Sequence, residues 1–296
     1  MSKIKKQKTK RKIVQALAAL ATNGHLSGFI TGQIYSGPLK RFCVPGMNCY
    51  SCPGALGACP IGSLQAVVGA RHPKFAFYVL GYLSLVWVLV GRFICGWLCP
   101  FGLVQELIHK IPIKKITVPE KVDKWLRKLK YLFLAVFVIL LPIILRDEFG
   151  MSAPYFCKWF CPVGMLDGGI PLLILNKAMR PAAHFLYAWK LVILLIFIGL
   201  SLIINRPFCK YMCPLGAFYG LFHKFSFMQL KCDKVTCIEC GACAKVCNMQ
   251  VDPSKTPTSA ECIRCGECVS VCPVNALSLT FMGKSEKELV ENEQTV

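Results

Sequence analysis

Two runs of closely spaced cysteines near the C-terminal end constrain the fold of this chain more than any other feature. Each run has the spacing C-x2-C-x2-C-x3-C. In bacterial two-cluster domains with this spacing, three thiolates of one run hold a [4Fe–4S] cubane, and the fourth cysteine ligates the other cluster. We therefore predict a small α+β ferredoxin domain over residues 231–282, with one cluster on Cys237, Cys240, Cys243 and Cys272 and the other on Cys262, Cys265, Cys268 and Cys247.

Other uses of the nineteen cysteines fit the spacing less well. Disulfide scaffolds are typical of short secreted domains, whereas this chain has 296 residues. Zinc ribbons need paired C-x2-C knuckles separated by a dozen or more residues, whereas the cysteines of the last third fall into tight runs of four.

Apolar segments between the cysteine motifs indicate a membrane protein. Hydrophobic residues make up 55% of the chain and charged residues 17%. Runs with few charges are long enough to cross a hydrocarbon core of about 30 Å. We predict an α-helical transmembrane, cysteine-rich domain over residues 13–230, with about four spans at 13–35, 75–94, 127–146 and 185–205. The first span resembles a secretory signal as well, and Ile170–Leu175 is too short to cross alone.

Basic residues orient the predicted bundle. A basic head (residues 1–12) and the segment 110–130 are rich in Lys and Arg, which favours a cytoplasmic position for both. The ferredoxin domain then also lies on the cytoplasmic side of a multi-pass protein of a prokaryotic cell membrane. The formal charge of +20 is explained by this topology, and we predict no nucleic-acid partner. The polar tail, residues 283–296, is expected to be disordered.

An internal two-fold repeat places further cysteines at the ends of the spans. Cys59-Pro60 followed by a span and a C-x3-C-P motif is answered by Cys161-Pro162, a span and a second such motif. Pro at the first position of a helix predicts new helices at Phe101–Ile111 and Leu215–Phe222. We predict an inner membrane site formed by Cys95, Cys99, Cys209 and Cys213.

An outer site is predicted on the opposite face, although six cysteines compete for it: Cys43, Cys49, Cys52, Cys59, Cys157 and Cys161. Symmetry nominates Cys157, Cys161 and Cys59. The two cysteines left over could form a disulfide or stay free, and Cys232 is a further cysteine outside the four sets. The alternative for both membrane sites is ordinary packing of buried cysteines. A [4Fe–4S] cluster is the first expectation for the bound species, and another iron or copper centre the second. At opposite faces the two sites would be about 30 Å apart.

The histidines offer weaker signals. His25 interrupts an apolar segment and could contact a quinone or ligate haem, but a neutral histidine hydrogen-bonded to a neighbouring group is the simpler interpretation. The other four, including His109 and His223, are expected to be solvated.

The C-x3-C-P motifs at Cys95/Cys99 and Cys209/Cys213, combined with the tandem ferredoxin runs, resemble the membrane polyferredoxin family, which includes NapH, NosR and CcoG-type proteins. The resemblance covers about residues 75–280. It implies a bundle of four to six helices, cytoplasmic [4Fe–4S] clusters, and electron exchange between a quinol or cytoplasmic donor and a partner across the membrane. The cysteines of Phe42–Leu64 and the third motif at Cys157/Cys161 depart from the simplest members, and no flavin-binding domain is found.

The expected function is membrane electron transfer through several [4Fe–4S] clusters. Partners would be redox proteins, such as a ferredoxin, a flavoprotein or membrane oxidoreductase subunits, and also quinol and lipid. The alternative is an assembly, maturation or redox-sensing protein that reduces or handles a metal for another membrane enzyme. No acid–base pair, nucleophile or phosphate loop indicates a stand-alone enzyme.

Overall fold

The computed structural model describes residues 2–70, 76–146, 152–182, 184–282 and 284–285. A helical part is followed by a small domain that contains an antiparallel three-stranded sheet. The predicted disordered tail falls outside the described residues, apart from 284–285. The helices are α1 (Ser2–Thr22), α2 (Gly28–Thr31), α3 (Pro60–Gly69), α4 (Ala76–Val90), α5 (Phe93–Trp97), α6 (Pro100–His109), α7 (Glu120–Phe133), α8 (Leu141–Ile144), α9 (Tyr155–Trp159), α10 (Pro162–Gly164), α11 (Ile170–Leu175), α12 (Phe185–Ile203), α13 (Pro207–Tyr211), α14 (Pro214–Leu221), α15 (Ala242–Val246) and α16 (Glu267–Val271).

Three of the four predicted spans correspond to helical segments. Helix α4 covers most of the second, and it ends in a turn at Gly91, whose φ is +54°. Helices α7 and α8 are joined by a π-helical segment, Leu134–Leu140, so the third is helical from residue 120 to 144. Within the described residues, Phe185–Ile203 alone is long and apolar enough to cross a membrane by length and composition. The remaining apolar helices are shorter.

The predicted first span over 13–35 is not one helix. Helix α1 begins in the basic head and ends at Thr22, and the chain then turns through Asn23–Ser27 before the single turn of α2. The basic head is therefore helical and not a separate segment. The break falls at the polar residues that interrupt the apolar stretch. Its side chains bond locally, with His25 Nδ1 lying 3.1 Å from the Pro53 carbonyl oxygen and its Nε2 3.0 Å from Ser27 Oγ.

Four helices begin directly after a cysteine, as the Cys-Pro motifs predict. Helices α3, α6, α10 and α14 each have Pro at the first position and the preceding cysteine in extended backbone. Proline suits this position because it lacks the N–H that would have no intrahelical partner. The predicted helices after Cys99 and Cys213 are confirmed, as α6 and α14. The segment Ile170–Leu175 is the last part of a helical stretch that starts at Pro162.

The small domain is itself a repeat. Strands β1 (Met228–Cys232) and β2 (Leu277–Phe281) pair antiparallel, with Met228 opposite Phe281, and β3 (Lys284–Ser285) adds to β2. In both cysteine runs the residue before the second cysteine and the glycine after it have positive φ: Glu239 and Gly241, Arg264 and Gly266. Glycine adopts this conformation without a Cβ penalty, so both cysteine runs turn tightly around their thiols.

Buried ion pairs join the small domain to the helical part. Glu261 contacts Arg92 at 3.0 Å and Lys130 at 2.5 Å, and all three side chains are at most one-tenth exposed. Arg11 of α1 pairs with Glu106 of α6 at 2.8 Å and with Glu267 of α16 at 3.0 Å. Separating such partners would leave unpaired charges in a poorly hydrated interior. The two parts are therefore fixed to one another.

Candidate iron–sulfur sites

Four cavities within the described part of the chain are each lined by at least four cysteines: three contain a complete predicted set of four, and the outer one contains four of its six candidates. Two small cavities lie in the small domain, and the inner cavity is of similar size. The outer cavity is much larger, about 710 Å³, and more open than the other three. Four thiols around an enclosed space are the donor set that a [4Fe–4S] cubane requires, so the cysteines fit this group.

The two cavities of the small domain bring together the cysteines that the spacing groups. One is lined by Cys247, Cys262, Cys265 and Cys268, and is here named the proximal cavity because it faces the helical part. The other, named the distal cavity, is lined by Cys237, Cys240, Cys243 and Cys272, with Cys232 also in its wall. The exchange of the fourth cysteine between the runs is thus present in the structure, with Cys247 and Cys272 crossing over.

The inner cavity joins the two halves of the helical part. Cys95 and Cys99 come from the turn around α5, and Cys209 and Cys213 from the turn around α13. Two arginines, each three residues before a first cysteine, cross the site: Arg92 Nη2 donates to the Cys209 carbonyl at 3.5 Å, and Arg206 Nη1 donates to the Cys95 carbonyl at 2.5 Å. Both are fully buried. An anionic cluster in this cavity would have two fixed cations beside it.

The outer cavity selects four of the six candidate cysteines. Its wall contains Cys49, Cys59, Cys157 and Cys161, which include the three that symmetry nominates. The other two candidates, Cys43 and Cys52, are buried elsewhere, and Cys52 Sγ lies 3.6 Å from Asn23 Oδ1. All nineteen cysteines are free of disulfide bonds. Basic side chains of Lys40, Arg41, Lys158 and Lys190 also line this cavity.

The inner and outer cavities are neighbours, which corrects the expected separation of about 30 Å. Met47 is buried and forms part of the wall of both. Helix α1 contacts the walls of both cavities and so measures the distance between them. Gln15 Nε2 donates to the carbonyl of Cys99, in the wall of the inner cavity, at 3.5 Å. The Thr22 carbonyl accepts from Nδ2 of Asn48, in the wall of the outer cavity, at 3.4 Å. Those seven residues rise about 10 Å along a helix. The segment Gly46–Cys49 folds inward between the sites, so both lie deep in the helical part.

The proximal cavity lies against the inner site. The turn between Cys95 and Cys99 packs on the backbone of the small domain so closely that a methyl group at Gly96 would lie 2.4 Å from the Ile263 carbonyl oxygen. Trp97 Nε1 donates to the Arg264 carbonyl at 3.0 Å. Ile263 and Arg264 both line the proximal cavity. The two sites are therefore separated only by these two backbone segments, which are in direct contact.

Electrostatics at this interface favour one charge state. Burial opposes ionisation of Glu261, but the charges of Arg92 and Lys130 outweigh it and lower the pKa of Glu261 to about 2. Burial raises the pKa of the Cys265 thiol to about 12, and a neighbouring Glu267 adds to the effect. Thiolates at such a site need a compensating cation, which the iron of a cluster supplies.

The expectation that His223 is exposed to solvent is wrong. It was expected to be solvated, yet it is 1% exposed and packs at the junction of the two parts. Burial and the charges of Arg264 and Arg92 lower the pKa of His223 to about 2, so the ring is neutral. His109 is also bonded, with Nδ1 3.0 Å from the Ser201 carbonyl oxygen.

Comparison with known proteins is consistent with this geometry. A family model described as a 4Fe-4S binding domain matches residues 75–119, 131–177 and 187–231, and another with the same description matches residues 258–278. Each of the three long matches contains one C-x3-C-P motif. No solved structure matches the chain significantly.

Relatives cover much of the chain. An uncharacterized protein of Methanocaldococcus jannaschii is 34% identical over 194 residues, which are 64% of this chain and 69% of that protein. The methylamine utilization ferredoxin-type protein MauN of Methylorubrum extorquens is 32% identical over 239 residues, 77% of this chain and 71% of MauN. The putative electron transport protein YccM of Escherichia coli is 29% identical over 218 residues, 69% of this chain and 56% of YccM. The chain thus spans little more than half the length of some relatives.

The predicted resemblance to NapH and NosR is confirmed. The ferredoxin-type protein NapH of Haemophilus influenzae is 27% identical over 188 residues, and the regulatory protein NosR of Stutzerimonas stutzeri is 31% identical over 184 residues. With the cysteine motifs and the matching family models, these relatives show that the chain belongs to the polyferredoxin-like family of proteins that bind multiple 4Fe–4S clusters.

Proposed function

We propose that this protein is a membrane electron conduit in which four [4Fe–4S] clusters form one line. The observation that carries the proposal is the sequence of shared walls: the distal and proximal cavities share the small domain, Ile263 separates the proximal cavity from Gly96 of the inner site, and Met47 separates the inner and outer cavities. An electron can then pass from cluster to cluster without leaving the protein. The sixteen cysteines of these four sets serve as ligands.

The line has an entrance on the small domain. Cys240 is exposed, and apolar side chains beside the distal cavity are exposed as well, with Ile238 61% and Val235 96% accessible. A soluble ferredoxin or flavoprotein could approach this surface closely. The acceptor belongs at the other end, at the open outer cavity, where basic side chains favour an acidic partner protein.

Exposed apolar side chains support the membrane setting. Leu85 of α4, Ile143 of α8 and Leu195 of α12 are between 44% and 58% exposed, together with many other apolar side chains on the helical part. Such a surface is unfavourable in water and favourable in lipid. We infer a multi-pass protein of a prokaryotic cytoplasmic membrane, with α1 and the small domain on the cytoplasmic side.

Anaerobic purification in detergent, iron quantitation and potentiometric EPR test the proposal. Four clusters require about sixteen iron atoms per chain. Reduction of the distal site by a soluble donor should be followed by reduction of the inner and outer centres. Cys95→Ser should remove the signal of the inner centre and interrupt transfer to the outer one.

The alternative, handling of a metal for another enzyme, gives a different result. In that case the outer cysteines would bind copper or zinc, and iron would be confined to the small domain, at about eight atoms per chain.

A further inference from the structure

Two glutamines occupy the same position relative to the outer and the inner site, both in the first half of the repeat. Gln65 is the sixth residue after Cys59, and Gln105 is the sixth residue after Cys99, so each lies on the helix that follows a Cys-Pro step. Both are buried, with 0% and 2% of the residue exposed. A polar side chain held in such an interior must find hydrogen-bond partners.

The partners are equivalent at the two sites, and all of them lie in the second half of the repeat. Gln65 Oε1 accepts from Phe156 N at 2.9 Å, and Gln105 Oε1 accepts from Phe208 N at 3.2 Å. In each case the next residue is a cysteine of the site. Gln65 Nε2 donates to Cys157 Sγ at 3.3 Å, and Gln105 Nε2 donates to Cys209 Sγ at 3.1 Å.

The orientation of each amide is determined by its surroundings. A backbone N–H only donates, so the group that faces Phe156 or Phe208 has to be the oxygen. The amide nitrogen is then directed at the sulfur, and it also bonds the carbonyl four residues earlier, Ile61 at 3.2 Å or Phe101 at 3.4 Å. A reversed amide would lose these bonds. The N–H to sulfur contact is therefore built into the fold.

The equivalent positions after the other two Cys-Pro steps carry different residues. The sixth residue after Cys161 is Asp167, and the sixth after Cys213 is Tyr219, whose hydroxyl donates to the Pro45 carbonyl at 3.1 Å. Repetition of the helix alone thus does not demand glutamine. Glutamine is found only where the sixth residue after the cysteine of the Cys-Pro step contacts the first cysteine of a C-x3-C-P motif in the opposite half, Cys157 or Cys209.

We propose that Gln65 and Gln105 are positioning residues that tune the reduction potentials of the outer and inner clusters, respectively. This inference rests on the proposed function. An N–H bond to a ligand sulfur stabilises the more negative, reduced state of a cluster more than the oxidised state, which raises the potential. Each glutamine also holds the backbone at its cysteine, so the ligand geometry and the potential depend on one side chain.

The test uses the full-length protein in detergent, with Gln65→Leu and Gln105→Leu as reciprocal variants and the half-buried Gln229→Leu, on strand β1 of the small domain, as a control away from both membrane centres. In Gln105→Leu we expect the equilibrium constant for one-electron reduction of the inner centre to fall about tenfold, which is about 59 mV, with the outer centre unchanged. Gln65→Leu should give the converse. Gln229→Leu should move neither centre.

A second measurement does not depend on how well the variants fold. Wild-type protein labelled with ¹⁵N at glutamine side chains should show ¹⁵N hyperfine coupling in pulsed EPR of both reduced membrane centres. Absence of that coupling, or unchanged potentials in leucine variants that retain their iron, overturns this inference while leaving the conduit intact. Absence of the two membrane centres from the wild-type protein would instead overturn the proposed function.

Discussion

Arg92 and Arg206 bond across the inner site in opposite directions. Arg92 donates a hydrogen bond to the carbonyl of Cys209, three residues after Arg206, and Arg206 donates one to the carbonyl of Cys95, three residues after Arg92. Each also has a carboxylate partner, Glu261 for Arg92 and Glu106 for Arg206, both at 3.0 Å. The outer site has no such pair at the equivalent position, because Pro154 stands three residues before Cys157. The inner centre is therefore the one with two buried cations.

Removing one of these cations should lower the potential of the inner centre. We expect Arg206→Gln to shift it by tens of millivolts to more negative values, because reduction adds negative charge beside the lost guanidinium. Glu106 keeps Arg11 as a partner. Potentiometric EPR measures the shift, and exposed Arg180→Gln is the control. An equal shift at the outer centre would show that the charge acts globally and not at the inner site.

The contact at Gly96 should control electron transfer between the small domain and the inner site. In Gly96→Ala the new methyl would meet the Ile263 carbonyl at 2.4 Å, so one backbone has to move away from the other. We expect transfer from the proximal to the inner centre to slow several-fold in stopped-flow experiments, with all iron retained. Gly199→Ala, where nothing lies within 4 Å, is the matched control. Unaltered transfer in Gly96→Ala would place the electron path elsewhere.

Cysteine substitutions should separate outer ligands from bystanders. Cys49 lines the outer cavity and Cys52 does not, although both are in the same short segment. Cys49→Ser should reduce the iron content from about sixteen to about twelve atoms per chain, whereas Cys52→Ser should leave it unchanged. The iron content per chain of each variant, measured against protein concentration, distinguishes a ligand from a bystander. Equal losses in both variants would mean that the segment is disturbed as a whole.

The ion pair at Glu261 should stabilise the junction of the two parts. Glu261→Gln leaves Arg92 and Lys130 buried without their carboxylate, and we expect a loss of about 3–5 kcal/mol of unfolding free energy. Exposed Glu120→Gln, which breaks a pair with Lys124 on the surface, should leave the stability almost unchanged. Thermal unfolding in detergent compares them.

The same pair predicts a pH dependence. The pKa of Glu261 is lowered from 4.5 to about 2, so its contribution is complete above pH 4.5 and is lost as the pH falls toward 2. The difference in melting temperature between wild type and Glu261→Gln should therefore stay constant from about pH 6 to about pH 5. A difference that shrinks within that range would indicate that the carboxyl titrates near its ordinary pKa or above it.

The sequence was most informative where spacing alone determines geometry. The tandem cysteine runs predicted which cysteines line the distal and proximal cavities, because three closely spaced cysteines converge locally and this spacing exchanges its fourth cysteine in two-cluster domains. The Cys-Pro steps predicted helices α6 and α14 for the same local reason. The short distance between inner and outer sites could not be predicted, since it depends on the inward path of Gly46–Cys49 past α1. The expected separation of about 30 Å, which assumes that the two sites lie at opposite faces of the membrane, is therefore too large.

The assisting residues were also missed, although a signal was present. Arg92 and Arg206 share an offset from their cysteines, and so do Gln65 and Gln105. Comparing the repeats position by position, beyond the cysteines themselves, would have singled out all four. What the comparison could not supply is the partner of each, because every one of these side chains bonds across to the opposite half of the repeat.

Arg11 joins residues from both ends of the chain, since its guanidinium pairs with Glu106 and with Glu267. During synthesis α1 leaves the ribosome well before α16, so this side chain has to wait until nearly all the polypeptide exists before its last partner arrives. A chain that stops early would keep the pair with Glu106 but lack the bond to Glu267 that ties its first helix to the terminal domain.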